Sequence, residues 1–436
     1  MKFKKISFII LAVVLLLLAG VFTSFYCGWF GQHLLLIKTN FSYLLDWEKD
    51  DHSIALETLQ KSCLTIAKQD PQKLFSRSIP QSGTFETWQK ICAAISQVDK
   101  NDAISARKFF EYWFKPYRIY NNLKTKGLFT GYYLPTLKCS LTQDEHYIEP
   151  IYAIPDDWVK VDLGAFDEKL KGRTIIGRVK NHLLGRYPDR AAIIKGAIDK
   201  KAKVLAWCDD KIDVAFAHVQ GSAIVQLGSN KEDLQISVPI NPIGGREKTT
   251  EAYFPIANYA ENPNIICVPP EPKQFLIGYE GSNGRSYVSI GKVLIKSHEL
   301  TPQNSSMQDI RTWLMQHPEK IDTILNQNAS YVFFRILKNE APLGSQQVPL
   351  TPERSLAVDK KYLPLGAPLW LDTVTPENAS QTFVPFRHLL IAQDTGGAIK
   401  GVIRGDVYWG GSDKAAFVAG HMKSQGSYWI LLPRVK

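Results

Sequence analysis

Asp394-Thr395-Gly396-Gly397-Ala398-Ile399-Lys400-Gly401, followed two residues later by Arg404-Gly405-Asp406-Val407-Tyr408-Trp409-Gly410, is the most informative stretch of this chain. Two carboxylates flank a glycine-dense loop. Glycines at 396, 397, 401 and 405 let the backbone turn sharply and let a bulky ligand approach the main chain, as a saccharide groove requires. Local sequence explains the same residues equally well as turn aspartates that bond their own backbone in a tight hairpin. A second element of this kind, Leu356-Ala357-Val358-Asp359, precedes Leu363-Pro364-Leu365-Gly366.

Outward from this stretch the chain reads as mainly β with a helical N-terminal region. Residues 128–133, 215–219, 287–290 and 428–432 are short, β-branched or aromatic, and bounded by Gly, Pro or Asn, the pattern of barrels rather than of a wound α/β sheet. Residues 46–120 read helical, with apolar spacing at Ile54, Leu56, Leu59, Cys63 and Ile66 and again at Trp88, Ile91, Ala94 and Ile95. A later helix is expected from Ser306, where Ser306-x-x-Asp309 resembles a capping box and Pro318 marks the stop. Residues 239–273, rich in Asn, Pro and Glu, read as a long surface loop.

The 436 residues, 45% hydrophobic and 11% aromatic, exclude wholesale disorder and allow two or three domains. Three lysines in residues 1–5 precede an uncharged apolar run at 6–22, about 17 residues and near the lower limit for a membrane-spanning helix. No small-x-small cleavage site follows Ala19-Gly20, so an uncleaved anchor is favoured over a cleaved signal, and the basic start predicts export of the remainder. Lipidation at Cys27 is less favoured because bulky Phe25-Tyr26 precede it. Of the other cysteines, Cys63 and Cys92 are the favoured bridge, with two buried free thiols as the alternative; Cys139, Cys208 and Cys267 are left unassigned. The net charge of +10 suits a polyanionic partner or membrane surface, but the scattered basic residues lack the pattern of a nucleic-acid groove. No CxxC or HExxH spacing supports a metal, no cofactor is implied, and Ser222 has no visible partner base.

Several blocks resemble one family. Asp359, Asp394 and Asp406 match the three aspartates that name the C-terminal part of the membrane-bound lytic murein transglycosylase A family. Phe129-Thr130-Gly131-Tyr132-Tyr133 and Val219-Gln220-Gly221-Ser222 are similar to two earlier family motifs. So are Gly278-Tyr279-x-Gly281-x-Asn283-Gly284-x-x-Tyr287-x-Ser289-Ile290-Gly291, Ser330-Tyr331-Val332-Phe333-Phe334 and Pro349-Leu350-Thr351-Pro352, in the same order. The resemblance covers roughly residues 125–436. Ala223 replaces a usual glycine, and Leu134 a usual acidic residue.

The resemblance implies a double-psi β-barrel from residues 29–135 and 278–436, an inserted β-domain at 136–277, a groove between them, and an anchor or signal at 1–28. It implies a lyase of the cell envelope, facing the periplasm, that cuts peptidoglycan glycan strands and leaves 1,6-anhydromuramic acid. Asp406 is expected to be the catalytic acid and base, and Asp394 to stabilise charge or order the groove. Asp359 is read as structural. Thr130, Gly131, Tyr132, Gln220, Gly221, Gly396 and Gly397 are expected to bind glycan, and Tyr408 and Trp409 to supply apolar surroundings or sugar stacking. An inverting hydrolase using Asp394 to activate water, and a scaffold that binds peptidoglycan without cutting it, are the alternatives.

Overall fold

The computed structural model describes residues 31–99, 102–228, 274–338, 341–377 and 382–434. The apolar run at 6–22, Cys27, Cys267 and residues 239–273 lie outside them. No helix among the described residues is long and apolar enough to cross a membrane. The chain divides into two compact units: Met1–Leu134, Ser289–Gln316 and Ala341–Lys436 form the first, Pro135–Val288 and His317–Glu340 the second.

Strands are numbered along the chain. In the first unit they are β1 (Leu34–Lys38), β2 (Phe114–Asn121), β3 (Gly127–Tyr132), β13 (Ser355–Val358), β14 (Pro368–Pro376), β15 (Phe383–Asp394), β16 (Arg404–Tyr408) and β17 (Lys423–Pro433). They form one sheet in the order β1-β2-β17-β14-β15-β13-β16-β3, and β17 also pairs with β3, so the strands from β17 to β3 close into a ring. Closure leaves the ring strands without a free edge, and β1 forms the edge of the extension through β2. Leu369, Trp370 and Leu371 on β14 and Leu389, Leu390, Ile391 and Ala392 on β15 are buried without alternation, as expected of strands covered on both faces.

Helices at His52–Ile66, Phe85–Ile95 and Ala103–Trp113 supply Leu56, Leu59, Trp88 and Phe110 to the same core. Each fully buried side chain of this size contributes roughly 2–3 kcal/mol. Asp51 and Asp102 cap the first and third helices by accepting from Ser53 N at 3.0 Å and Ile104 N at 2.9 Å. The expected Cys63–Cys92 bridge joins the first two helices. It closes a chain segment of 29 residues, which in the loop-entropy account is worth on the order of 3–4 kcal/mol.

In the second unit the strands are β4 (Thr136–Ser140), β5 (Glu149–Tyr152), β6 (Val159–Asp162), β7 (Thr174–Lys180), β8 (Leu183–Arg186), β9 (Val204–Cys208), β10 (Ser222–Leu227), β11 (Gln274–Ser282) and β12 (Val332–Leu337). The order β12-β11-β10-β4-β9-β5 makes one sheet and β6-β7-β8 a smaller one. The expected insertion spans 136–277; this unit runs over Pro135–Val288 and His317–Glu340, and β11 and β12 extend its sheet. A second bridge, Cys139–Cys208, lies in register between β4 and β9.

Two expected strands are corrected. Residues 215–219 lie in the helix Lys211–Gln220, which Asp210 caps by accepting from Ile212 N and Asp213 N and which ends at Gly221 with φ 80°. Ile212, Val214, Ala215, Phe216, Ala217 and His218 are all buried there, and a short continuous apolar run does not distinguish a buried helix from a strand. Residues 287–290 are loop ending in a helix start, with Ser289 capping Ile290–Lys296. The last residues of the helical-reading stretch, from Phe114, are strand β2. Ser306 and Asp309 do form the expected cap: Asp309 N donates to Ser306 Oγ at 3.1 Å and Ser306 N to Asp309 Oδ2 at 2.9 Å.

The first unit encloses a charged cluster. The Asp50 carboxylate, with no side-chain exposure, accepts from Arg354 Nη1 at 2.8 Å and Leu389 N at 2.8 Å and lies 2.6 Å from His388 Nδ1. Burial alone raises its pKa, but the bonds to His388 and Arg354 outweigh that and hold it well below the usual aspartate range. A depressed folded pKa adds stability above the unfolded value and loses it as pH falls. Stability is therefore expected to fall once pH drops below about 4. Asp50→Asn leaves the Arg354 charge buried without its partner, and should cost about 3–5 kcal/mol at neutral pH. Urea unfolding across pH 2–8 checks both, and a variant that unfolds like the parent contradicts the account.

Candidate active site

The site is built on one pairing. Strands β3 and β16 run parallel with Thr130 opposite Asp406, Leu128 opposite Arg404 and Tyr132 opposite Tyr408. Alternation puts Thr130, Tyr132, Arg404, Asp406 and Tyr408 on one face, and Phe129 and Val407, both fully buried, on the other. Gly405 sits on the packed face, where a Cβ would lie 2.9 Å from the Phe129 ring and 3.0 Å from Leu356.

Asp406 is half-buried. Its Oδ1 accepts a hydrogen bond from Thr130 Oγ1, and Thr130 Oγ1 accepts from Arg404 Nη2 at 2.8 Å. Desolvation raises the Asp406 pKa, the Arg404 charge and the Thr130 bond oppose the rise, and the Asp394 charge adds to it. The net direction is up, toward the protonated form that a proton donor needs near neutral pH.

Asp394 closes β15. Its Oδ1 accepts from Ser345 N, Ser345 Oγ and Thr395 N, each at 2.8 Å, and its Oδ2 from the Tyr132 hydroxyl at 3.0 Å. A carboxylate has about four acceptor positions, two on each oxygen; three donors crowd onto Oδ1, while Oδ2 takes Tyr132 alone and keeps one position open. Burial raises its pKa, with the Ser345, Thr395 and Tyr132 bonds opposing. The preceding Gln393 fixes the strand end: its Nε2 donates to Thr58 O and Ser62 Oγ, both at 2.9 Å, and its Oε1 accepts from Ser355 Oγ at 2.6 Å.

The remaining residues fall into place around this pair. Asp359 accepts from Gly401 N at 2.9 Å and Lys361 N at 3.1 Å, tying the end of β13 to the glycine-rich loop. Gly401 there has φ 125°, a conformation that suits glycine. Gly397 is exposed with open space at its Cβ position, and a Cβ on Gly396 would meet Ile399 at 2.7 Å. Gly131 is a packing residue: a Cβ would lie 2.6 Å from Trp409 Nε1 and 2.8 Å from Ala419 Cα. Trp409, 8% exposed, packs against Phe386 with ring centroids 5.1 Å apart, so it lines the interior and presents no stacking face. Tyr132 spends its hydroxyl on Asp394. Gln220 and Gly221 belong to the second unit, at the end of a helix rather than of a strand.

The two departures from the family pattern are both interior: Ala223 is fully buried in the second unit's core, and Leu134 is 7% exposed with its N–H on Gly410 O at 2.8 Å. Two site residues escape sequence reasoning. Arg404 carries a signal, since it lies two residues before Asp406 and so shares its face; Ser345, 49 positions from Asp394, carries none. Among the described residues no three His, Cys, Asp or Glu side chains gather as metal ligands.

The chain matches known proteins along most of its length. The family model described as the MltA specific insert domain matches residues 128–239 and 268–335, and that of the 3D domain matches 354–432. Residues 240–267, most of the Asn- and Pro-rich stretch, fall outside these matches. A membrane-bound lytic murein transglycosylase A homolog of Buchnera aphidicola subsp. Schizaphis graminum is 30% identical over 360 residues, 82% of this chain and 78% of that one. The crystal structure of a membrane-bound lytic murein transglycosylase from Agrobacterium tumefaciens is similar with a TM-score of 0.72 at 27% identity, covering 92% of this chain and 98% of that one. That of MltA from Neisseria gonorrhoeae gives 0.69 at 28% identity, covering 92% and 94%. Matched in both family models and along four-fifths of its length, the chain belongs to the membrane-bound lytic murein transglycosylase A family.

Proposed function

We propose that this chain cleaves the β-1,4 bond between N-acetylmuramic acid and N-acetylglucosamine in peptidoglycan, with Asp406 as sole acid and base, leaving 1,6-anhydromuramic acid. The observation that carries the reading is the contrast between the two carboxylates: Asp406 shares one oxygen with Thr130, while Asp394 is held by four donors, three of them on Oδ1. Asp406 protonates the glycosidic oxygen as the bond to the anomeric carbon breaks. The resulting carboxylate then takes the proton of the sugar's own 6-hydroxyl as that oxygen bonds to the anomeric carbon. One carboxyl serves both transfers because the second reverses the first. The nucleophile is already part of the substrate, so no water needs to be positioned.

Inverting hydrolysis requires a second carboxylate that takes a proton from water, whereas four donors already hold Asp394, three on Oδ1 and Tyr132 on Oδ2. Asp394 instead holds negative charge near the developing oxocarbenium and orders the loop through Ser345. A double-psi β-barrel is our reading of the closed ring of β17, β14, β15, β13, β16 and β3, with the second unit as the family's inserted domain. Thr130, Gly396 and Gly397 on the first unit, and Gln220 and Gly221 on the second, are proposed glycan contacts. Tyr132, on the same face as Asp406, and Gly131 beside it remain proposed glycan contacts, with Tyr132 also holding Asp394. We place the protein in the cell envelope, facing the periplasm and held by the segment at 6–22.

Asp406→Asn should fold with an unchanged thermal midpoint and lose about a thousandfold in kcat. More than about a tenth of parental turnover on purified sacculi removes Asp406 from the role. Asp394→Asn is expected to be slowed about 10- to 100-fold, with anhydro-terminated muropeptides still the product by mass spectrometry. Reducing-end products from the parent protein would overturn transglycosylation in favour of hydrolysis.

A further inference from the structure

Arg404 has no role in the reading above, yet its position is specific. Among the described residues it makes no ion pair within 4 Å of a carboxylate. Its Nη1 donates to the carbonyls of Leu128, at 3.3 Å, and Gly405, and its Nη2 to Thr130 Oγ1 at 2.8 Å. A threonine hydroxyl has a single proton, and a guanidinium only donates. With Arg404 donating to the Thr130 oxygen, the hydroxyl proton is left to point at Asp406 Oδ1.

We infer that Arg404 is a positioning residue that acts on Asp406 through Thr130, keeping Oδ1 an acceptor, placing the transferable proton on Oδ2, and stabilising the carboxylate left after transfer. The inference rests on Asp406 being the acid and base. Burial and the nearby Asp394 favour the protonated form, which serves the first transfer and hinders ionisation. A donor that never ionises cannot transfer its proton, so the site needs an opposing charge that leaves Oδ2 free. Arg404 meets both conditions at one remove, because Thr130 stands between them. The proton leaves Oδ2 for the glycosidic oxygen, which keeps the electron pair of the broken bond. The 6-hydroxyl oxygen then bonds to the anomeric carbon and its proton returns to Oδ2, so nothing else is consumed.

The sign follows from charge. Removing Arg404 removes the cation that favours ionised Asp406, so the acid form persists to higher pH. The test is kcat against pH on purified sacculi for the parent, Arg404→Gln, Arg404→Lys, Thr130→Val and Asp406→Asn, each with its thermal midpoint. Arg404→Gln should move the alkaline limb upward by about one pH unit and lower the plateau about tenfold, with KM little changed. Arg404→Lys, which keeps the charge, should leave the limb in place. A staple that merely joins β16 to β3 moves no limb. If Arg404→Gln fails to fold, Thr130→Val carries the test and should shift the limb in the same direction. An unmoved limb in the folded variant, with Asp406→Asn inactive, overturns the role of Arg404 alone. Turnover by Asp406→Asn instead overturns the assignment on which the inference rests.

Discussion

The parallel pairing of β16 with β3 is the interaction on which the site depends. It brings Thr130 to Asp406 across 276 positions of sequence, and a slip of one residue would turn Asp406 into the core and Val407 toward the site. The register is held from several sides. β17 pairs with the other edge of β3, β13 with the other edge of β16, and the Tyr428 hydroxyl donates to Val402 O beside the start of β16. Gly127 allows the closest approach of all, since a Cβ there would fall 1.9 Å from Ile403 O. Ring closure thus fixes a geometry of Thr130, Arg404 and Asp406 that no local segment contains.

The second carboxylate is fixed by different means. Gln393, fully buried, bonds the helix His52–Ile66 through Thr58 and Ser62 and bonds β13 through Ser355. Ser62 donates in turn to Gln346 Oε1 at 2.8 Å, and Gln346 N donates to Gln393 O at 3.0 Å, which brings Ser345 to Asp394. A buried polar network of this kind specifies one arrangement because each unmet partner is costly in a low dielectric. Two aspartates of like chemistry acquire different environments: one shares a single oxygen with a hydroxyl, the other is enclosed by donors. Such divergence is how one site separates the roles of its acids.

The second unit uses the same economy. Asn283, 1% exposed, donates to Pro188 O and Ala329 O and accepts from Tyr331 N, pinning the turn after β11 to the segment before β12. Asn283, within the block from Gly278 to Gly291, is therefore a latch for that sheet in addition to part of a family mark. The fully buried methyl of Ala223 shows that one departure from the family pattern is absorbed by the core.

Much was legible before any coordinates. The β-rich character, the helical N-terminal region, the Ser306 cap, the Cys63–Cys92 bridge and the family followed from residue chemistry within a few positions or from blocks in a fixed order. Such signals survive because capping, turn formation and helical periodicity are local. Sequence alone misread residues 215–219, since a helix buried on nearly every side has no polar face to mark its period. The packing of Gly131 against Trp409 was equally invisible, because a glycine looks the same whether a sugar or the Trp409 ring needs the space. The partners of Asp394 and Asp406, the Cys139–Cys208 bridge and the enclosure of Asp50 by Arg354 and His388 were decided by tertiary structure. Apart from the bond of Asp394 to the adjacent Thr395, each joins residues far apart in the chain that strand register or packing brings together, and a hydrogen bond depends on distance in space rather than along the chain.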